Sequence, residues 1–275
     1  MEGNRGVLEV LKYLEVREVL HNTACVSQQW LRLSNSEEIW HLYCESSGVT
    51  ADDITYCGNS PKLAYQTLVD VQIHHLVLLT TGQLKLFDCR IPDFVLARPI
   101  KVAPTCSAVM VRNDRVFFTG GPPTCKRAFL YDFTKDATEE YPDTLDHRRY
   151  HGSARILRTV YLFGGDHGRC QSAEKCALSR KEWTWLPPMP STHNAFTACV
   201  RQHSIFLCGG SVSRSHVFHA DTETYEELPF ILPDNSWSVA TCISEDVIIE
   251  SQGCRSQWSP NTGFKNFSVG RQVIL

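Results

Sequence analysis

A chain of 275 residues with 43% hydrophobic and 21% charged side chains has the apolar material for a sizeable core, which excludes an extended disordered polypeptide. Its formal net charge of −3 excludes a strongly basic surface, so neither nucleic acid nor a membrane is an expected partner. No apolar run approaches the ~20 residues of a membrane-spanning helix, and the opening MEGNRGVLEVLKYLEVREV is charged throughout, so the expected location is the cytosol or nucleus. The 12 cysteines are scattered, with no Cys-x-x-Cys pair, and read as reduced, small core residues.

In chain order, the first elements are helical. Val7, Val10, Leu11 and Leu14 fall at i, i+3, i+4 and i+7, and Val16, Val19, Leu20 and Thr23 repeat the spacing, so each set lines one helical face. A third helix carries Val26, Trp30 and Leu33 on one stripe. Ser34 and Glu37 stand at capping-box spacing and predict a fourth, with Ile39, Trp40 and Tyr43. A helical unit of about 40 residues has little interior of its own, so it is expected to dock on something. Residues 45–74 form a turn-rich piece followed by SPKLAYQTLVDV, where Pro61 suits a first helical turn. This reads as a helical linker; Trp40 and Tyr43 are expected to pack within the helical module or against this linker.

Beyond residue 75 the pattern changes to short apolar runs closed by glycine. RVFFTGG, VYLFGG and IFLCGG end at Gly121, Gly165 and Gly210, and a weaker VIIESQG ends at Gly253, in steps of 44, 45 and 43 residues. LVLLTTG, ending at Gly82, is a degenerate earlier copy. This is a repeat. Each unit predicts a four-stranded antiparallel sheet, and one such sheet cannot bury both faces alone, so the units must stack radially. A later aromatic in each unit, Tyr131, Trp185, Tyr225 or Trp258, is expected to fill the gap between sheets.

The repeat resembles the kelch family, whose marks are a di-glycine, a Tyr and a Trp. That implies a mostly β fold, a kelch-like β-propeller over residues 75–275 with about five recognisable blades. The terminal QVIL is expected to join the first blade as its outer or inner strand. The preceding run VLEVLKYLEVREVLHNTACVSQQWLRLSNSEEIWHLYC resembles an F-box, which sets an F-box-like module at 1–44 and a linker at 45–74. The resemblance implies binding to the Skp-type adaptor of a cullin-based ubiquitin ligase, through residues drawn from Val10, Leu11, Leu14, Val19, Leu20, Val26 and Trp30. Where the family opens with Leu-Pro, this chain has Glu2-Gly3.

No phosphate-binding loop, His-Glu-x-x-His, Gly-x-Ser-x-Gly or dinucleotide fingerprint occurs. An enzyme is therefore not the expected reading, and no cofactor or metal is implied. Kelch-type peptide binders use polar residues just ahead of each inner strand, and counting back about fourteen positions from each di-glycine reaches Cys106-Ser107, Arg149-Tyr150, Asn194 and Trp237-Ser238. Arg148 and His193 lie beside them. From Leu145 to Trp185 eight Lys or Arg face four Asp or Glu, so the resemblance implies a rim of Arg148, Arg149, Tyr150, His193, Asn194, Trp237 and Ser238 binding a protein substrate through an acidic or phosphorylated peptide. The resulting expectation is a ubiquitin-ligase substrate receptor. The alternative is a kelch-type scaffold or cytoskeletal binding module that does not engage a ligase.

Overall fold

The computed structural model describes residues 36–47, 49–68, 75–80, 83–88, 94–99, 105–112, 115–122, 126–165, 171–210, 214–231, 238–243, 246–251, 254–259 and 263–268. The chain divides into two compact units, Met1–Gln72 and Ile73–Leu275. The three helices expected over 7–33, and with them Val10, Leu11, Leu14, Val19, Leu20, Val26 and Trp30, lie outside the described residues, as do Trp237 and QVIL.

The first unit contains α1 (Glu37–Ser46), α2 (Ala51–Tyr56) and α3 (Pro61–Leu68). Helix α1 starts with Ser36 as N-cap, which makes no side-chain capping bond; Glu37 and Glu38 fill its acidic first turn and favour the helix dipole instead. The reciprocal capping box is one helix later, where Thr50 N–H donates to Asp53 Oδ2 at 2.8 Å and Asp53 N–H to Thr50 Oγ1 at 3.3 Å. Ile39, Trp40, Tyr43 and Cys44 are buried at successive turns of α1, and Ala64 of α3 is buried with them. Trp40, Tyr43 and Tyr65 form a three-ring cluster with centroids 5.7–5.8 Å apart, so the two α1 aromatics pack on α3 as the sequence implied. The division at 44/45 therefore falls inside α1, and the helices beyond it share that element's core.

The second unit is built of antiparallel sheets. Sheet A holds β1 (His75–Thr80), β2 (Gln83–Asp88) and β3 (Phe94–Pro99), and sheet B holds β4 (Ser107–Arg112), β5 (Arg115–Thr119), β6 (Ala128–Asp132) and β7 (Ala137–Tyr141). Sheet C comprises β8 (Gly152–Ile156), β9 (Thr159–Phe163), β10 (Ala173–Ala177) and β11 (Glu182–Trp185). Sheet D comprises β12 (Thr197–Arg201), β13 (Ser204–Cys208), β14 (Arg214–His219) and β15 (Thr224–Ile231), and sheet E β16 (Ser238–Ile243), β17 (Asp246–Ser251), β18 (Cys254–Ser259) and β19 (Gly263–Ser268). Ile156 pairs with Thr159 and Arg201 with Ser204, so two-residue turns close these hairpins, with Leu157 and Gln202 at positive φ.

Period-2 alternation explains how the sheets stack. From β5 and β6, Val116, Phe118, Phe129 and Tyr131 cluster with Leu84 of sheet A. The intervening Phe117, Ala128 and Leu130 cluster with Val160, Leu162, Cys176 and Trp183 of sheet C. Tyr161 and Phe163 of β9 point the other way, to Ile205, Leu207 and Phe218 of sheet D. Middle strands are thus buried on both faces, which is why they read as unbroken apolar runs. The first strands adjoin in succession, β4 beside β8, β8 beside β12 and β12 beside β16. Sheets stacked face to face about adjoining first strands give a mostly β, β-propeller-like unit.

Aligned on its glycine, β1 is the counterpart of β5, β9 and β13, each of which also precedes a turn glycine. Among the described residues sheet A therefore has second, third and fourth strands without a first.

The expected gap-filling aromatic of sheet C is displaced by two positions. Trp183 is 9% exposed and Trp185 is 55% exposed, because the two share a strand face with Thr184 opposite and only Trp183 reaches over the neighbouring sheet. Its Nε1–H donates to Pro142 O at 2.8 Å. The six described free cysteines include five that are buried.

Candidate functional site

The loops that lead into β4, β8 and β12 form one hydrogen-bonded layer. Tyr150 N–H donates to Thr105 O at 3.1 Å and Ala195 N–H donates to Tyr150 O at 2.9 Å. These residues recur at 45-residue steps, so equivalent positions of successive repeats touch through their backbones. Tyr150 and Ala195 hold φ of 52° and 55°, a left-handed conformation that costs non-glycine residues energy and is retained where the surroundings impose it.

The di-glycines lock this layer to the sheets. Gly164 has a φ of 58°, and a β-carbon there would stand 2.5 Å from His193 O, while Gly165 N–H donates to the same carbonyl at 2.9 Å. Only a residue without a side chain admits that approach. In the preceding repeat, Gly121 N–H donates to Arg148 O at 3.0 Å. These two di-glycines thus hold the loops that enter the next sheets.

The side chain of Arg148 is buried, with 0% exposure. Its Nε donates to Glu174 Oε1 at 2.6 Å, Nη1 to Gly164 O at 2.6 Å and Ser172 O at 2.9 Å, and Nη2 to Ser172 Oγ at 2.9 Å. Glu174 accepts in addition from Leu145 N–H at 2.7 Å. Arg148 is therefore a clamp on the loop and does not reach the rim surface expected from the sequence. The reason is local: successive residues of the loop point to opposite sides, and sheet C offers a carboxylate on the inner one.

His193 is likewise internal, at 1% exposure. Its Nδ1 lies 3.3 Å from Gly209 O, and its Nε2 lies 3.2 Å from His216 Nδ1 and 3.0 Å from Ser191 Oγ. Burial pushes His193 down to about 4, with the neighbouring His216 adding to the shift, and it lowers His216 as well. His151 is buried against the same layer, with Nε2 at 2.8 Å from Thr119 Oγ1. Burial first, and the Arg148 charge second, push it down to about 3.

What faces outward is Tyr150, 39% exposed, flanked by the half-buried Arg149, Asn194 and Thr105. Thr105 Oγ1 and Asn194 Oδ1 are buried atoms with no hydrogen-bond partner among the described residues. Ser107 Oγ is 2.6 Å from Ser153 Oγ, joining β4 to β8, and Cys106 Sγ is 3.2 Å from Gly120 O. Ser238 opens β16. Of the sequence-picked rim residues, the loop layer therefore brings Tyr150, Arg149 and Asn194 together, withdraws Arg148 and His193, and leaves Trp237 outside the described set.

Thr105, Glu174 and His216 complete the layer together with His151, and none of these three was singled out from the sequence. A signal existed for two of them: Glu174 and His216 are polar residues within strands, opposite Leu162 and Leu207 of the adjoining strands. The exposed face offers an aromatic ring beside a half-buried arginine, groups suited to packing on a peptide and to an acidic side chain. Among the described residues, no three His, Cys, Asp or Glu side chains come together to hold a metal.

No family model and no curated protein matches the chain. Among solved structures it is similar to that of YjhT, with a TM-score of 0.51 and 13% sequence identity over 60% of this chain. The match spans 65% of the YjhT chain, slightly less than two thirds of its length. A likeness at this identity shows a shared β-propeller-like fold and nothing of a shared ligand.

Proposed function

We propose that this protein is the substrate-recognition subunit of a cullin-RING ubiquitin ligase. Its N-terminal helices act as an F-box that holds the Skp-type adaptor, and a five-bladed kelch-type propeller presents the target. The observation that carries the reading is the F-box-like run over residues 7–44, with its Tyr-Leu, Arg-Glu and Val-Ser-x-x-Trp elements followed by a second Trp ten positions on. The chain contributes binding and no catalysis, and it works in the cytosol or nucleus. Val10, Leu11, Leu14, Val19, Leu20, Val26 and Trp30 supply the adaptor surface. On the rim, Tyr150, Arg149 and Asn194 receive an acidic or phosphorylated peptide, with Trp237 and Ser238 from the next repeat. The test is co-purification of the full chain with a Skp-type adaptor and cullin: wild type brings both down, and Leu14→Ala with Trp30→Ala loses them. Retention by the double variant overturns the reading. Arg149→Glu should leave adaptor capture intact and weaken target binding tenfold or more, about 1.5–3 kcal/mol for one charge-assisted bond.

Glu2-Gly3 in place of the family's Leu-Pro favours a second reading, a kelch-type scaffold or cytoskeletal binding module outside any ligase. It predicts target capture by the rim with no adaptor or cullin in the same purification.

A further inference from the structure

The Arg148–Glu174 and His193–His216 pairs occupy the same place in successive repeats. Glu174 lies opposite Leu162 in sheet C, and His216 lies opposite Leu207, 45 residues later, in sheet D. Arg148 and His193 are also 45 residues apart, and each bonds the carbonyl of the first glycine of its own sheet, Gly164 and Gly209. The position is a latch between the entering loop and the third strand. In sheet C it is an ion pair built on a permanently charged guanidinium. In sheet D it is two imidazoles.

The hydrogen bonds assign their protons. With His193 Nδ1–H donating to Gly209 O, Nε2 keeps one acceptor lone pair, which His216 Nδ1–H and the Ser191 hydroxyl share. Only one proton fits between Nε2 and Nδ1. Among the described residues no carboxylate bonds either ring. Arg214 and Glu227, the charges that act on His216, pair with each other at 2.7 Å, so neither is a dedicated counter-ion. The other neighbour of His193 is the ring of Phe196, with centroids 5.1 Å apart. A proton taken up here is a buried charge with no counter-ion among the described residues.

We infer that the His193–His216 pair is an acid-released latch, which holds loop 190–196 on sheet D when neutral and lets it go when His193 is protonated. The loop supplies His193 O to Gly165 and Ala195 N–H to Tyr150 O, so release loosens the seam between sheets C and D and the support beneath Tyr150. The inference stands independently of the ligase reading, since it concerns the loop and needs no partner.

Native-state amide exchange on the full chain tests it, with each rate divided by the intrinsic rate at the same pH. The Gly165 amide reports the latch. With the imidazole held at about 4 against 6.5 when exposed, linkage gives about a thirtyfold loss of Gly165 protection between pH 7.5 and 5. His151, in the neighbouring loop, is a second buried imidazole and is separated by variants. His193→Arg with His216→Glu, which transplants the sheet C pair, should make Gly165 protection flat over that range, whereas His151→Gln should leave the loss in place. Gly165 protection that is flat in the wild type, or that falls equally in the transplanted variant, overturns the inference. If the transplant does not fold, the wild-type ring resonances decide. Loss of Gly165 protection that sets in below about pH 6.5 while the native His193 ring titrates only near 4 supports the latch, and ordinary titration of His193 near 6.5 overturns it.

Discussion

Arg148 is a cation with no exposed surface whose donors are taken by one carboxylate, two carbonyls and a hydroxyl. Such a pair adds little net stability compared with an apolar pair of the same shape, but breaking it strands a buried charge. Arg148→Met alone, or Glu174→Leu alone, should lower the unfolding free energy by about 3–5 kcal/mol, while Arg148→Met with Glu174→Leu should cost much less than the sum. Denaturant unfolding of the four proteins gives the cycle; additive losses would mean that the pair is not coupled. The neighbouring Arg149 is only half-buried, beside the exposed Tyr150. Adjacent arginines of one basic segment thus differ in burial, and counting positions back from the di-glycine reached their loop without distinguishing them.

At the scale of single elements, the sheets are joined by side chains that alternate between two neighbours. Trp183 fills the seam between sheets B and C beside Phe117 and donates across it to Pro142 O, as Tyr225 OH does to Pro187 O, at 3.0 Å, one seam later. Trp183→Ala removes that burial together with the bond and should cost about 3–5 kcal/mol. Trp185→Ala, on the same face but beyond the neighbouring sheet and 55% exposed, should stay within about 0.5 kcal/mol. Thermal or urea unfolding of both variants checks the pair, and equal losses would contradict the assignment. Strand positions and hairpin turns were legible in the sequence because apolar runs and turn residues are local signals. Which of two tryptophans entered the seam was not, because that depends on where strand β11 sits against the sheet before it. For the same reason the helix expected to start from a Ser34–Glu37 box instead begins after Ser36, and the reciprocal box forms at Thr50 and Asp53.

Over the molecule as a whole, the buried imidazoles tie stability to pH. His151 and His193 have folded values of about 3 and about 4, below the 6.5 of an exposed imidazole, so the unfolded chain binds more protons across that interval. Their contribution is complete above about pH 6.5 and is lost as pH falls toward 4, on the order of a few kcal/mol. Urea unfolding at pH 7.5, 6 and 5 should show the midpoint falling steadily. His151→Gln should flatten part of that slope, and an unchanged midpoint in the wild type would contradict the burial of both rings. The sequence by itself determined that the chain stacks repeated antiparallel sheets behind a helical segment, because a 43-to-45-residue period and its turn glycines are properties of the chain alone. Only the tertiary structure decided which residues line the loop layer and which hold it in place. The direction of each side chain there is set by carbonyls and carboxylates that lie tens of residues away in sequence and arrive only when neighbouring sheets pack.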